Sequence, residues 1–377
     1  MPKVTVLMPV YNGELYLREA IDSILDQTFQ DFEFLIINDG STDSTREIIC
    51  SYDDLRIRLI DNNYNLGLTR SLNKGLKLAE GEFIARQDAD DVSESERLAK
   101  QVAFLETHPE VALVGTWYKQ IDTQGNLICE CQLPYDCTQI RWGLLFYSPF
   151  IHSAVMFQKS VVLEQIGFYN EVAIYAQDYE LWCRIALRQQ IANLSDYLIK
   201  WRVHPSSVTA TYGNIQQDTM LHIQISNIGH LLGSEEAERW SNGVHLKEMT
   251  SLWLGELEEL KDMNLQKLNQ VIERIFHLHH AFCNYYKLDW EESKNHRNEV
   301  LIHLSNQLLD LAYYYSERDK YTAWRLLNRA CRVNFSLLLT KNFILLFLKL
   351  MIGSPLVREI RHITQEKLEQ KSICDET

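Results

Sequence analysis

Residues 34–43 read Phe34-Leu35-Ile36-Ile37-Asn38-Asp39-Gly40-Ser41-Thr42-Asp43. A run of four apolar residues predicts a short buried strand; Gly40 permits a tight turn, and Ser41 and Thr42 can cap a following helix. Asp39 is left at the carboxyl end of the strand, where open α/β sheets collect their chemistry, as an acceptor that could take an N–H from a nucleobase. A plain capping turn explains the same residues, so the surroundings have to decide.

The alternation continues on both sides. Strands are predicted over 4–8, 34–37, 56–60 and 83–86, with helices over 14–28, 41–52 and 67–79 between them; the helix at 14–28 carries Leu17, Ala20, Ile21, Ile24 and Leu25 at 3.6-residue spacing. Short β-branched runs alternating with amphipathic stretches predict βαβ units around a mostly parallel sheet. Beyond residue 90 the pattern loosens, with a helix over 94–107, strands over 111–118, 127–133, 154–157 and 191–199, and a helix over 179–189. A mixed α/β domain is expected over 1–214 and an all-α appendage over 215–377.

Charge narrows the function. The 377 residues hold 51 acidic and 37 basic side chains, a net −14, which argues against a nucleic-acid backbone binder. Residues 1–214 carry 29 acidic against 18 basic residues (−11), and 215–377 carry 22 against 19 (−3). An acidic half that handles an anion needs a metal ion.

The eight cysteines form no CxxC pair and no zinc-like pairing with histidine; Cys129, Cys131 and Cys137 are the nearest to a cluster, and reduced thiols of a cytosolic protein are expected. Residues 1–8 followed by Pro9 do not read as a signal peptide. GxxxxGK[ST], GxGxxG and GxSxG are all absent, so the chemistry falls to carboxylates, a metal and His204.

Three acidic sites stand out. Beside Asp39, Asp88-Ala89-Asp90-Asp91 follows the 83–86 strand; carboxylates at i and i+2 of an extended segment point the same way and repel unless a cation joins them. Mg²⁺ or Mn²⁺, shared with substrate phosphates, is the usual solution, and a solvated acidic turn is the alternative. Gln177-Asp178-Tyr179-Glu180-Leu181-Trp182 opens a helix, where Asp178 is a cap or a general base; Trp201-Arg202-Val203-His204 ends the last strand.

Together these motifs resemble glycosyltransferase family 2, the inverting nucleotide-sugar transferases of GT-A fold. The resemblance spans about residues 3–210 and rests on Met8-Pro9-Val10-Tyr11-Asn12-Gly13, on 38–43, on Asn65-Leu66-Gly67 leading to Leu72-Asn73-Lys74-Gly75, on 85–91 with Arg97-Leu98, on 177–182, and on Arg202 with His204. It implies that Pro9, Tyr11 and Asp39 line the base pocket and that Asp88 faces ribose and phosphate. It implies further that Asp90 ligates Mn²⁺ or Mg²⁺, with His204 at the metal or diphosphate, and that Asp178 is the catalytic base. Arg70 is expected near the nucleotide, and His152 and Trp182 at the acceptor pocket. Many relatives have Asp where this chain has Asn38, and Glu180 offers a second carboxylate near Asp178.

The expected partners are a nucleotide-sugar donor, UDP-linked by preference, and a glycan or lipid-linked acceptor, with no nucleic acid. Rival readings are a non-catalytic nucleotide-sugar binding protein and a metal-dependent nucleotidyltransferase. In the appendage, 13 of the 18 residues from 335 to 352 are apolar, and 318–361 holds nine Lys and Arg against Asp319 and Glu359. That segment reads either as an amphipathic helix on the cytoplasmic face of a membrane or as a core helix with a solvated basic face.

Overall fold

In a computed structural model, residues 1–241, 245–261 and 263–352 are described, and the chain divides into two compact units, 1–227 and 228–377. The first unit opens with β1 (Val4–Val10), α1 (Leu17–Leu25), β2 (Phe32–Asn38), α2 (Thr45–Cys50), β3 (Ile57–Asp61), α3 (Leu68–Leu78) and β4 (Phe83–Arg86). These are the predicted βαβ units, and β1 pairs parallel with both β2 and β4, as β2 does with β3. The register sets Val10 beside Asn38, Asn38 beside Asp61 and Leu7 beside Arg86, so the carboxyl ends of four strands share one edge.

Beyond β4 the sheet becomes mixed. β5 (Val92–Ser93), α4 (Arg97–Thr107), β6 (Val111–Ile121), β7 (Leu127–Cys131), α5 (Cys137–Gly143), β8 (Met156–Gln158), α6 (Lys159–Gln165), α7 (Gln177–Ala186) and β9 (Gln190–Arg202) follow. Among the described residues the sheet has nine strands in the order β3-β2-β1-β4-β8-β6-β9-β5, with β7 on β6. β8 runs antiparallel between β4 and β6, whereas β6 and β9 pair parallel. Sequence periodicity missed β5, α5 and α6, which span two to seven residues and are too short to show a repeat.

Strand alternation divides the core into two layers. Leu7, Leu35, Ile37 and Ile84 face α3 and α7, while Val6, Met8, Phe34, Ile36 and Ala85 face α1 and α4, all of them buried. Pro9 sits buried within central β1. Val10 O accepts from Asp39 and Leu7 O from Gln87, so odd residues of β1 face β4; that ladder ends at Leu7, and Pro9 forfeits no sheet bond.

The boundary expected near 214 lies further on, inside α8 (Val208–Leu232). Gln224 Nε2 donates to Phe146 O at 2.7 Å and Asn227 Nδ2 to Leu144 O at 3.2 Å, while Met220 and Ile223 pack on the first unit's core. The start of that helix therefore belongs to the α/β domain.

The described part of the second unit is helical: α9 (Ser234–Ser241), α10 (His245–Leu254), α11 (Leu257–Leu260), α12 (Leu265–Tyr285), α13 (Trp290–Tyr315), α14 (Lys320–Val333) and α15 (Lys341–Ile352). α15 buries Phe343, Leu346 and Leu350. Lys349 is not on a solvated basic face: it is buried, pairs with Glu317 at 2.9 Å and lies over the Tyr313 ring. Phe335, Leu339, Ile344, Phe347 and Met351 of this segment are open to solvent, beside exposed Ser336, Thr340, Lys341 and Asn342. Residues 353–361 of the expected basic stretch lie outside the described residues. Among the described residues, no helix is long and apolar enough to cross a membrane.

Candidate active site

The acidic turn after β4 is built on two buried arginines. Arg86 donates to Leu7 O, Gln87 O, His152 Nε2 and the Asp88 carboxylate, and is fully buried. Arg97, also fully buried, reaches from α4 to Gln87 Oε1, Ser93 Oγ and the backbone oxygens of Arg86 and Val155. Burial pushes its guanidinium down to about 9. Gln87 completes the frame by donating to the carbonyls of Asp88 and Asp91. The turn is therefore already partly balanced by fixed positive charge.

The three carboxylates of the turn have different environments. Asp91 is buried, accepting from Ser153 Oγ and, at 2.9 Å, from Arg202 N; burial, then the charges of Asp90 and Asp88, raise it well above the usual carboxylate range. Burial likewise raises Asp88, opposed by Arg86. Asp90 remains partly open, with Oδ2 2.9 Å from His204 Nε2. His204 arrives from the end of β9, where Arg202 ties the site together by donating to Asp90 O, Asp122 O and Glu19, its guanidinium stacked on Tyr16. Tyr16 and His204 are themselves 5.2 Å apart between ring centres.

On the neighbouring strand end, Asp39 is 3% exposed. Its Oδ1 accepts from Asn62 Nδ2 and Leu66 N, and its Oδ2 from Gly67 N at 2.9 Å. Asp39 thus fastens the 62–67 loop, and Oδ2 keeps capacity for one further donor. Ser41 and Thr42 do not cap α2; they hold the loop after β1 through Asn12, whose N–H donates to Ser41 Oγ and whose Oδ1 accepts from Thr42 N. Gly40 has φ +71°, and a Cβ there would lie 2.5 Å from the Tyr64 backbone carbon. Asn38 donates to Asp61 Oδ1 at 2.8 Å, a contact an aspartate would turn into repulsion. Tyr11 is 49% exposed beside this loop pair.

Arg70 reaches the 168–176 loop instead of standing free, pairing with Glu171 at 3.1 Å. One turn on, Asn73 exchanges two hydrogen bonds of 3.0 Å with the backbone of Tyr169.

Asp178 lies in the first turn of α7. Burial pushes it up to about 6, backbone N–H donors oppose this, and the nearby charges of Asp88 and Arg86 act in opposite directions. Glu180 does not compete with it, because both its oxygens are paired with Arg184 at 2.8 Å. His152 packs on Arg86: burial and Arg86 hold it well below its usual range, so it is neutral, with Nε2 accepting from Arg86 and 3.1 Å from Tyr169 Oη. Trp182, expected at the acceptor pocket, is fully buried among Phe150, His152, Phe157 and Tyr169. Four residues after Asp178 on the helix, it points into the core and touches no open surface.

A family model described as Glycosyl transferase family 2 matches residues 5–133. An uncharacterized glycosyltransferase of Haemophilus influenzae is 31% identical over 286 residues, which is 73% of this chain and 85% of that relative. The chain belongs to glycosyltransferase family 2. The O-antigen biosynthesis glycosyltransferase WbnJ of Escherichia coli is 34% identical over 54% of this chain and 81% of its own. Among solved structures, S. aureus TarS residues 1–349 in complex with UDP-GlcNAc matches with TM-score 0.51 and 20% identity, covering 74% of this chain and 81% of that one. This likeness establishes the GT-A-like fold of the enzyme.

In this glycosyltransferase the donor set at the acidic turn fits a divalent cation. Asp90 offers a carboxylate oxygen, the donor that suits Mn²⁺ or Mg²⁺, and His204 an imidazole nitrogen 2.9 Å away as a second, weaker donor. The sequence had pointed to Asp88, Asp90, Asp178 and His204; Arg86, Gln87 and Arg97 stood in the motifs that carry the resemblance, without a role. Their burial had one further signal, Arg97 and Gln101 four apart on a helix whose neighbouring Leu98, Val102 and Leu105 are core.

Proposed function

We propose that this enzyme is an inverting transferase that moves a sugar from a nucleotide diphosphate, UDP-linked by preference, to an acceptor hydroxyl. The observation that carries the reading is the pairing of Asp90 with His204 at the same sheet edge as a base-poised Asp178. With a pKa of about 6, Asp178 is ionised at neutral pH yet basic enough to take the acceptor proton. The acceptor oxygen then attacks the anomeric carbon opposite the diphosphate, the bond to the nucleotide breaks, and the configuration inverts. Asp90 and His204 would hold Mn²⁺ or Mg²⁺, which would supply Lewis-acid stabilisation to the departing diphosphate. Tyr11, just past the end of β1, and the remaining lone pair of Asp39 face the base, and Asp88 the ribose and phosphate.

The WbnJ relative, named for O-antigen biosynthesis, supports a place in surface polysaccharide assembly. The apolar surface of Phe335, Leu339, Ile344, Phe347 and Met351, in a segment rich in Lys and Arg, supports contact with an anionic membrane that carries a lipid-linked acceptor.

The test is UDP-sugar binding and turnover with Mn²⁺. Asp178→Asn is expected to keep metal-dependent UDP binding and lose transfer, and Asp90→Ala to weaken that binding. Transfer at the parental rate by Asp178→Asn would overturn the base assignment, and nucleotide binding unaffected by both metal and Asp90→Ala would overturn the site.

A further inference from the structure

The second unit holds a side-chain cluster that sugar transfer does not use. His279 and Cys283 stand four residues apart on α12, one turn along the same face. Residues 286–289 then turn the chain into α13, which brings His296 against them. The connection is well defined: Leu288 N donates to Cys283 O at 3.0 Å, and Asp289 and Glu292 form a reciprocal cap at the start of α13. All three side chains are buried, with Phe282 packed 5.1 Å from the His296 ring.

The geometry converges. Cys283 Sγ is 3.6 Å from His279 Nε2, the two imidazoles stack at 5.1 Å, and one potential ligand atom from each residue lies within 4.8 Å of the others. Zinc bonds of about 2.3 Å to sulfur and 2.0–2.1 Å to nitrogen place tetrahedral ligands about 3.6 Å apart, the separation already present between Cys283 and His279. A contraction of roughly 1 Å, within reach of side-chain rotation, closes the rest.

We propose that His279, Cys283 and His296 bind a borderline-soft divalent transition cation, zinc foremost, with water in the fourth position. Nitrogen and thiolate donors select such an ion over Mg²⁺ and Mn²⁺, so this site is chemically distinct from Asp90 and His204. Formation of the sulfur–metal bond releases the thiol proton to solvent. Cation and thiolate together leave the site at +1, and the ion pins α12 to α13.

The test uses the full chain with Cys129 and Cys131 changed to Ser, which removes the exposed neighbouring thiols. After chelator treatment, Co²⁺ is the probe. One equivalent is expected to give thiolate-to-cobalt charge-transfer absorption that survives Asp90→Ala, because the acidic turn has no sulfur ligand. Cys283→Ser is expected to abolish the band, and His296→Gln to weaken binding at least tenfold. In the parent, excess Zn²⁺ should raise the melting temperature by on the order of 5 °C. Absence of the band in the unmodified cluster, or its persistence in Cys283→Ser, overturns the proposal; the first result needs no ligand variant to fold.

Discussion

Asp178 should cost the protein stability as well as serve its chemistry. Its ordinary value of 3.8 is raised to about 6, mainly by burial, a difference of about 3 kcal/mol at 1.4 kcal/mol per unit. Below the unfolded value both states are protonated and nothing is lost. As pH rises through the window between 3.8 and about 6, the unfolded chain ionises first, so the native state loses stability, and above that window the loss is complete. Linkage places about 2 kcal/mol of it between pH 4.5 and 8, and water at this half-buried carboxylate reduces it to roughly 1–2 kcal/mol. Asp178→Asn removes the titration. Urea melts of parent and variant at both pH values should show the variant gaining this amount at pH 8 relative to pH 4.5, while transfer falls by roughly 10²–10⁴-fold. A stability difference that does not change with pH would refute the buried-carboxylate argument, whatever happens to activity.

Other perturbations address the frame and the second unit. Gly40→Ala should destabilise the first unit by about 2–4 kcal/mol in a thermal or urea melt, since φ is +71° and the new Cβ meets the Tyr64 backbone. Asn38→Asp replaces a donor to Asp61 with a second carboxylate and should cost about 1–3 kcal/mol at pH 7, with recovery near pH 4. Phe335→Asp with Phe347→Asp should abolish flotation with anionic liposomes while leaving UDP binding unchanged; equal flotation of parent and variant would remove the membrane contact.

The parts legible in the sequence are those governed by period and position. Alternating β-branched strands and amphipathic helices fixed β1 to β4, and from their ends Asp39, Asp88 and Asp90 could be read as neighbours. Asp178 and His204 needed family resemblance, because a carboxylate opening a helix or a histidine after a strand has no signature of its own. Arg86 and Arg97 stood in the family motif, but their buried role was illegible for a physical reason: arginine ordinarily signals surface, and its burial follows only from carbonyls that converge once the sheet has formed. Trp182 failed as an acceptor residue because position along a helix does not reveal which side faces the core. The histidine and cysteine cluster escaped for a related reason, since its members come together only when α12 and α13 pack.

Asn73 has a consequence for how such an enzyme can diversify. By giving Tyr169 both a donor and an acceptor, its amide imitates a short piece of strand and staples the base of the 168–176 loop to α3. The tip beyond the staple is exposed at Val172 and Ile174. At the far end Tyr175 stacks on Tyr212 and its carbonyl accepts from Gln216, so the loop is fastened at both ends and only its tip is an exchangeable cassette, which can be rewritten without disturbing the strands that hold Asp88 and Asp90.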